Sequence, residues 1–211
     1  RISMKLIDLK LNEYLDVLLS DAPAPGGGSV SALAGTQGTA LVGMVCDLTT
    51  AKKKYAEEHE RCAAIKEEAV ALYEELAASI DRDTDAYNLI AAAFKMSKGT
   101  PDEKALRKKA IADGTLEATK IPFRVMELSY KGLELADRLQ GHFNTNCASD
   151  LGVGVLNFIT CMRGAWLNVK INLPGVTDEA FAVKCEEEGN AMLAKGEAIA
   201  DRLFAEIKGS L

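Results

Sequence analysis

The stretch from Asp150 to Asn172 concentrates side chains able to do chemistry. At about 100° per residue, Asp150, Gly154, Asn157, Cys161, Asn168 and Asn172 share one stripe of a helix. Leu151, Val155, Leu156, Phe158, Ile159, Met162, Trp166, Leu167 and Val169 cover most of the remaining circumference. A helix apolar nearly all round is buried. A carboxylate and amides taken inside with it need partners, or each costs roughly 1–3 kcal/mol. The stripe is therefore either a satisfied polar seam between helices or the wall of a polar ligand pocket. Three other places carry chemical potential. In Pro25-Gly26-Gly27-Gly28-Ser29 a turn leads into a helix, whose free N–H groups bind anions or polar ligand atoms. The bland alternative is a tight turn with Ser29 as cap, and no Gly-Lys-Ser/Thr follows to make a P-loop. Asp81, Asp83 and Asp85 read first as a solvated face. Asp83 and Tyr87 stand at i, i+4 and can point inward together. A carboxyl facing a pocket has its pKa raised and serves as acid or base. Lys52-Lys53-Lys54 suits a solvated helix end, or attracts an acidic ligand tail.

The elements that position these groups all read as helices. Residues 5–20 have apolar positions at helical spacing and stop at the proline- and glycine-rich segment 21–28. From Ser29 to Thr50 the chain has no charge before Asp47, and Ser31, Gly35, Thr39 and Gly43 recur every four residues. Glycines inside a helix cost about 1 kcal/mol each against alanine, so close packing or a ligand must offset them. Residues 55–97 form one long helix. Thr100-Pro101-Asp102-Glu103 opens the next as a capping box with proline at the first position, running to about Gln140 with a kink expected before Pro122. Residues 141–150 are loop-like, 150–172 helical, and Thr177-Asp178-Glu179 starts a last helix to about Lys208. No strand pattern, repeat or low-complexity linker is visible. The expected fold is all-α: one domain over 1–211, with its core at about 5–207, built as a bundle of long antiparallel helices.

Composition narrows the function. Lys plus Arg number 25 against 31 acidic residues, a net charge of −6, which gives no footprint for nucleic acid. Apolar residues make up 48 % of the chain but aromatics only 6 %, which favours helices. No apolar run reaches the roughly 18–20 residues of a membrane span, and no charged-then-apolar signal peptide opens the chain, so no membrane partner and a cytoplasmic location are expected. Five scattered cysteines and two distant histidines suit neither a structural zinc site nor a disulfide scaffold; the cysteines read as reduced and buried.

Taken in order, Ala24-Pro25-Gly26-Gly27-Gly28-Ser29-Val30, the Asp81–Tyr87 stretch, Thr100-Pro101-Asp102-Glu103-Lys104 with Arg107, Ser149-Asp150-Leu151 and Asn168-Val169-Lys170-Ile171-Asn172-Leu173 resemble the formiminotetrahydrofolate cyclodeaminase/methenyltetrahydrofolate cyclohydrolase family over nearly the whole chain. The resemblance implies an all-α subunit that forms a homodimer, with folate bound near the interface. It implies an enzyme acting at the N5–N10 bridge of tetrahydrofolate: 5-formiminotetrahydrofolate to 5,10-methenyltetrahydrofolate plus ammonia, narrowly ahead of methenyl hydrolysis to 10-formyltetrahydrofolate. No metal or other cofactor is implied. Resemblance and residue chemistry together assign Asp83 and Asp150 as the catalytic carboxylates. Gly26, Gly27, Gly28 and Ser29 would hold the pterin or the glutamate carboxylates, Asn168 and Asn172 the pterin edge, and Lys52 and Lys53 would steer an acidic tail. Lysines stand at 52–53 where the transferase-linked members have arginines, which keeps charge but loses bidentate geometry. The alternative of another class is a non-catalytic helical binding module.

Overall fold

The computed structural model describes residues 4–211. Six α-helices follow in order: α1 (Leu11–Leu19), α2 (Gly27–Thr50), α3 (His59–Phe94), α4 (Pro101–Leu139), α5 (Ala148–Asn172) and α6 (Glu179–Ser210). Short 3-10 turns lie at Leu6–Asp8, Lys53–Glu58, Thr145–Cys147 and Leu173–Gly175, and no strand occurs among the described residues. The all-α bundle expected from sequence is the observed fold. Its first predicted helix is shorter than expected, because Leu6–Asp8 turns separately and its backbone is held by α3: the Asp81 carboxylate accepts from the Leu6 amide at 2.7 Å and from the Ile7 amide at 3.3 Å.

Small residues let α2 sit at the centre. A Cβ at Gly35 would lie 2.7 Å from Cys161 Sγ on α5, and one at Gly38 only 3.0 Å from the Gly154 carbonyl oxygen. Backbone thus meets backbone, and any larger side chain would push α2 and α5 apart. Buried hydroxyls along α2 bond back one turn, Thr36 to Ala32 O, Thr39 to Gly35 O and Thr49 to Val45 O. That satisfies polar atoms that would otherwise be stranded. In length and composition α2 is apolar enough to cross a membrane, contrary to the sequence reading, yet 67 % of its most apolar window is buried inside the bundle.

The hairpin α3–α4 is antiparallel and carries Glu75–Arg124 and Glu68–Arg138 ion pairs across it. The capping box at Thr100 forms as expected, with the Glu103 amide donating to Thr100 Oγ1 and Glu103 Oε2 accepting from the Thr100 amide. α4 continues as one helix through Pro122. Proline has no N–H, so the carbonyl four residues back loses its helical donor. That carbonyl belongs to Ala118, and Asn172 Nδ2 donates to it at 3.2 Å.

The core gathers Phe158, Leu151 and Met162 of α5 with Ile65 and Leu76 of α3, Leu128 and Leu133 of α4 and Leu203 of α6, all fully buried. Gly132 of α4 makes room for the Phe158 ring, which a Cβ there would approach to 2.3 Å. All five cysteines are free and buried. One face stays uncovered: Val30, Met44 and Leu48 of α2 and Val153, Leu156, Leu167 and Ile171 of α5 are exposed, Leu167 by 70 % and Ile171 by 78 %.

Candidate active site

At the amino end of α2, glycine is needed because a carboxylate comes too close for anything else. The first intrahelical bond runs from the Val30 amide to Gly26 O, so the amides of Gly27, Gly28 and Ser29 precede the helical ladder. Gly26 supplies no side-chain cap. Asp83, from α3, occupies that place instead. A Cβ at Gly28 would lie 2.0 Å from Asp83 Oδ1 and 2.2 Å from its Cγ. Burial pushes the Asp83 carboxyl above its usual range, while a hydrogen bond from the Ser29 backbone amide pulls the other way. The balance leaves a carboxyl that takes up a proton more readily than a solvated aspartate, at a helix end that favours its anion.

Ser29 serves this site by its amide rather than its hydroxyl. Its Oγ is fully buried, donates to Ile80 O at 2.7 Å and lies 3.1 Å from Thr84 Oγ1. The hydroxyl therefore ties α2 to α3. Asn168 of α5 flanks the turn, since a Cβ at Gly27 would meet its Nδ2 at 3.7 Å. Asn168 Nδ2 donates to Gly164 O at 2.8 Å; its Oδ1 faces the glycine turn with no donor from the described residues. Asn172 Nδ2 is shared between Ala118 O and Asn168 O, so its nitrogen repairs α4 and only its oxygen is free for a ligand. Tyr87 stands one turn beyond Asp83 and is half-exposed.

The remaining predicted residues lie at the other end of the bundle. Asp150 is half-buried in the first turn of α5. Eighteen residues separate it from Asn168, about 27 Å along the axis. Lys52 and Lys53 are exposed just past the end of α2, twenty-four residues and about 36 Å from Gly28. Near them Tyr55 Oη accepts from the Thr145 amide at 3.3 Å, and His142 Nδ1 lies 3.0 Å from Glu58 Oε1. Asp150 also sits beside Cys147, whose thiol is pushed up by burial and by that carboxylate. One chain thus brings together Gly26–Ser29, Asp83, Asn168 and Asn172, and does not bring Asp150, Lys52 or Lys53 to them. Between the ends the stripe is a seam against α2: Gln37 Nε2 donates to Asn157 Oδ1 at 3.2 Å. Cys161 lies buried on Gly35, its thiol pushed up to about 12 by that burial. Among the described residues no three His, Cys, Asp or Glu side chains converge as a metal cluster would require.

The family model of formiminotransferase-cyclodeaminase matches residues 10–191. The chain belongs to that family. It is 35 % identical to a methenyltetrahydrofolate cyclohydrolase of Methylorubrum extorquens, over 95 % of this chain and 97 % of that protein. It is 29 % identical to the formimidoyltransferase-cyclodeaminase of Rattus norvegicus over 89 % of this chain, but spans only 35 % of that relative. The crystal structure of a formiminotetrahydrofolate cyclodeaminase from Thermotoga maritima superimposes with a TM-score of 0.79 at 25 % identity, covering 97 % of this chain and 96 % of that one. The chain is accordingly an enzyme of the folate cyclodeaminase/cyclohydrolase group, and the non-catalytic module is set aside. Sequence reasoning missed two features of this end. The demand of Pro122 for a donor was visible in the proline itself but not its answer in Asn172. The basic density at residues 95–109 was visible as six lysines and arginines against two acids.

Proposed function

We propose that this family member is a 5,10-methenyltetrahydrofolate cyclohydrolase, with Asp83 as its acid–base group. The relationship along the full length of a free-standing cyclohydrolase moves this reaction ahead of formimino cyclodeamination, which the sequence alone placed narrowly first. The observation that carries the site is the carboxyl of Asp83, raised by burial and set against the amides of α2 and the Gly27–Asn168 contact. In the reaction, Asp83 carboxylate takes a proton from water as the oxygen adds to the bridging carbon. The resulting Asp83 carboxyl then returns that proton to N5 as the N5–carbon bond breaks, and the second proton of the added hydroxyl leaves to solvent. The one-carbon unit remains on N10 as a formyl group. Asn168 Oδ1 accepts from a ring N–H of the pterin and keeps the carbon over Asp83.

Asp150 enters this reading through a second copy of the chain. The uncovered apolar face of α2 and α5 is suited to pair with itself. A two-fold axis across those helices would carry Asp150 of the partner subunit towards the Asp83 end. Cyclodeamination remains the second reading, favoured by the Thermotoga maritima neighbour of nearly equal extent. The purified chain, offered 5,10-methenyltetrahydrofolate, should consume it faster than the uncatalysed hydrolysis and yield 10-formyltetrahydrofolate. Ammonia release from 5-formiminotetrahydrofolate, without acceleration of methenyl loss, would reverse the order of the two readings. Turnover of neither would refute both.

A further inference from the structure

Charge is distributed unevenly in this chain. Its net charge is −6, yet residues 95–109 hold six cations against two acids. These residues form the tip of the α3–α4 hairpin, and the first fourteen residues of α4 run about 21 Å. α5 ends lower down, where Asn172 bonds Ala118 O and a Cβ at Gly175 would meet Thr115 Cγ2 at 3.1 Å. At the tip Lys98, Lys104, Arg107, Lys108 and Ile111 line an open cleft of about 410 Å³. Among the described residues none of these four cations is in an ion pair. Of nearby acids, Glu103 is engaged with the amides of Gly99 and Thr100 and Asp113 with Lys109, which leaves Asp102, in the first turn of α4, as the one acid of the tip set against these four cations. Arg107 is held in place: its Nε and Nη2 donate to Phe94 O at 3.3 and 3.2 Å, and its guanidinium lies 5.5 Å from the centre of the Phe94 ring. Its Nη1 remains free.

The tip is connected to the Asp83 site by one helix stripe. At about 100° per residue, Asp83, Tyr87, Ile90 and Phe94 lie within about 60° of each other on α3. On α4, Lys104, Arg107, Lys108, Ile111, Thr115 and Ala118 share an arc of about 100°, and this arc includes the residues that meet α5. From bottom to top the surface offers a carboxyl with amides, then an aromatic ledge of Tyr87 and Phe94, both exposed by about half, then unpaired cations. Phe94 is eleven residues from Asp83, about 16 Å along α3. A folate has the same order: a hydrogen-bonding pterin, an aryl ring, and a glutamate tail whose negative charge grows with each added residue. We propose that the hairpin tip binds the glutamate tail, with Lys98, Lys104, Arg107 and Lys108 receiving its carboxylates, in place of Lys52 and Lys53. This rests on the folate reading above.

The test compares the triple variant Lys98→Gln/Lys104→Gln/Lys108→Gln with the wild type, using tetrahydrofolate carrying one or three glutamates. Direct binding is measured by calorimetry, and folding is checked by circular dichroism. The wild type should prefer the triglutamate, and the preference should shrink as salt rises. Three exposed charge contacts, each weak on its own, together correspond to about tenfold in affinity. The variant should lose about that factor for the triglutamate and bind the monoglutamate within about twofold. The tip is not the tail site if the variant keeps the full preference, or if the preference disappears in Lys52→Gln/Lys53→Gln instead. Failure of the wild type to bind either form would overturn the folate reading as well, and is distinguished by that double negative.

Discussion

The close approach of Asp83 to Gly28 yields a test that separates position from composition. Gly28→Ala adds one methyl group whose ideal position is 2.0 Å from Asp83 Oδ1, 2.2 Å from Cγ and 2.3 Å from Oδ2. Ordinary contact begins near 3.4 Å, so the carboxylate must retreat by about 1.4 Å or α2 must move away from α3. Misplacement of a reacting group by about 1 Å costs on the order of 10²-fold in rate. Stability should change little: alanine gains about 1 kcal/mol of helix propensity over glycine, and loss of the carboxylate cap removes about the same. At this chain length such a balance keeps Tm within about 3 °C. Gly27→Ala is the matched control, because its methyl would meet Asn168 at an ordinary 3.7 Å. Steady-state methenyltetrahydrofolate hydrolysis and thermal melts of both variants should show kcat down about 100-fold in Gly28→Ala alone. If Gly28→Ala retains kcat within twofold, the placement of Asp83 over the glycine turn is not what catalysis requires.

Three further outcomes follow from the same structure. Asp83→Asn should lower kcat by about 10²–10⁴ while stability at neutral pH does not fall. Because the Asp83 pKa is raised in the folded state, its stabilising protonated form is lost as pH rises through that value; the variant's Tm should exceed the wild type's above this range and converge with it in acid. Leu167→Glu, on the uncovered face, should convert a dimer into monomers by light scattering and abolish turnover if Asp150 acts across the interface, whereas an unchanged molar mass would rule out that face. Gly132→Ala drives a methyl to 2.3 Å from the Phe158 ring. Overpacking of this kind costs about 1–3 kcal/mol, so Tm should fall by several degrees with catalysis per folded molecule intact.

Much of the fold was legible because its signals are local. Thr100, Pro101 and Glu103 specify a helix start by themselves, and the box forms as their types require. Asp178 likewise caps α6 through the Phe181 amide. The four-residue spacing of small residues in α2 announced a close helix neighbour, and Gly35 and Gly38 meet α5 at side-chain and backbone atoms. Less legible was what happens to a helical proline. Pro122 breaks one hydrogen bond without bending the chain into two helices, since its orphaned carbonyl finds Asn172, fifty-four residues away. Nothing local to either residue announces that pairing.

The candidate site shows the same limit in a sharper form. Helical periodicity gives the angle at which a side chain leaves the axis, and by angle Asp150 and Asn168 do share a stripe. Height along the axis is a separate coordinate, and about 27 Å of it divides them within one chain. Asp83 joins Asn168 because the register of α2 against α3 brings Gly28 beneath its carboxylate, a register held by Ser29 Oγ on Ile80 O. Lys52 lies beyond the far end of α2 for the same reason. The two groups of predicted residues therefore belong to one site only if symmetry joins them, and the exposed Leu167 and Ile171 sit where such a partner would dock. A mixed dimer of Asp83→Asn and Asp150→Asn chains tests this directly. If the acids act across the interface, one of the two sites in each mixed dimer retains both wild-type carboxylates, so a mixed dimer recovers up to about half the activity of a wild-type dimer. Two inactive homodimers that regain nothing on mixing would place both acids within a single chain's requirements and remove the interface from the mechanism.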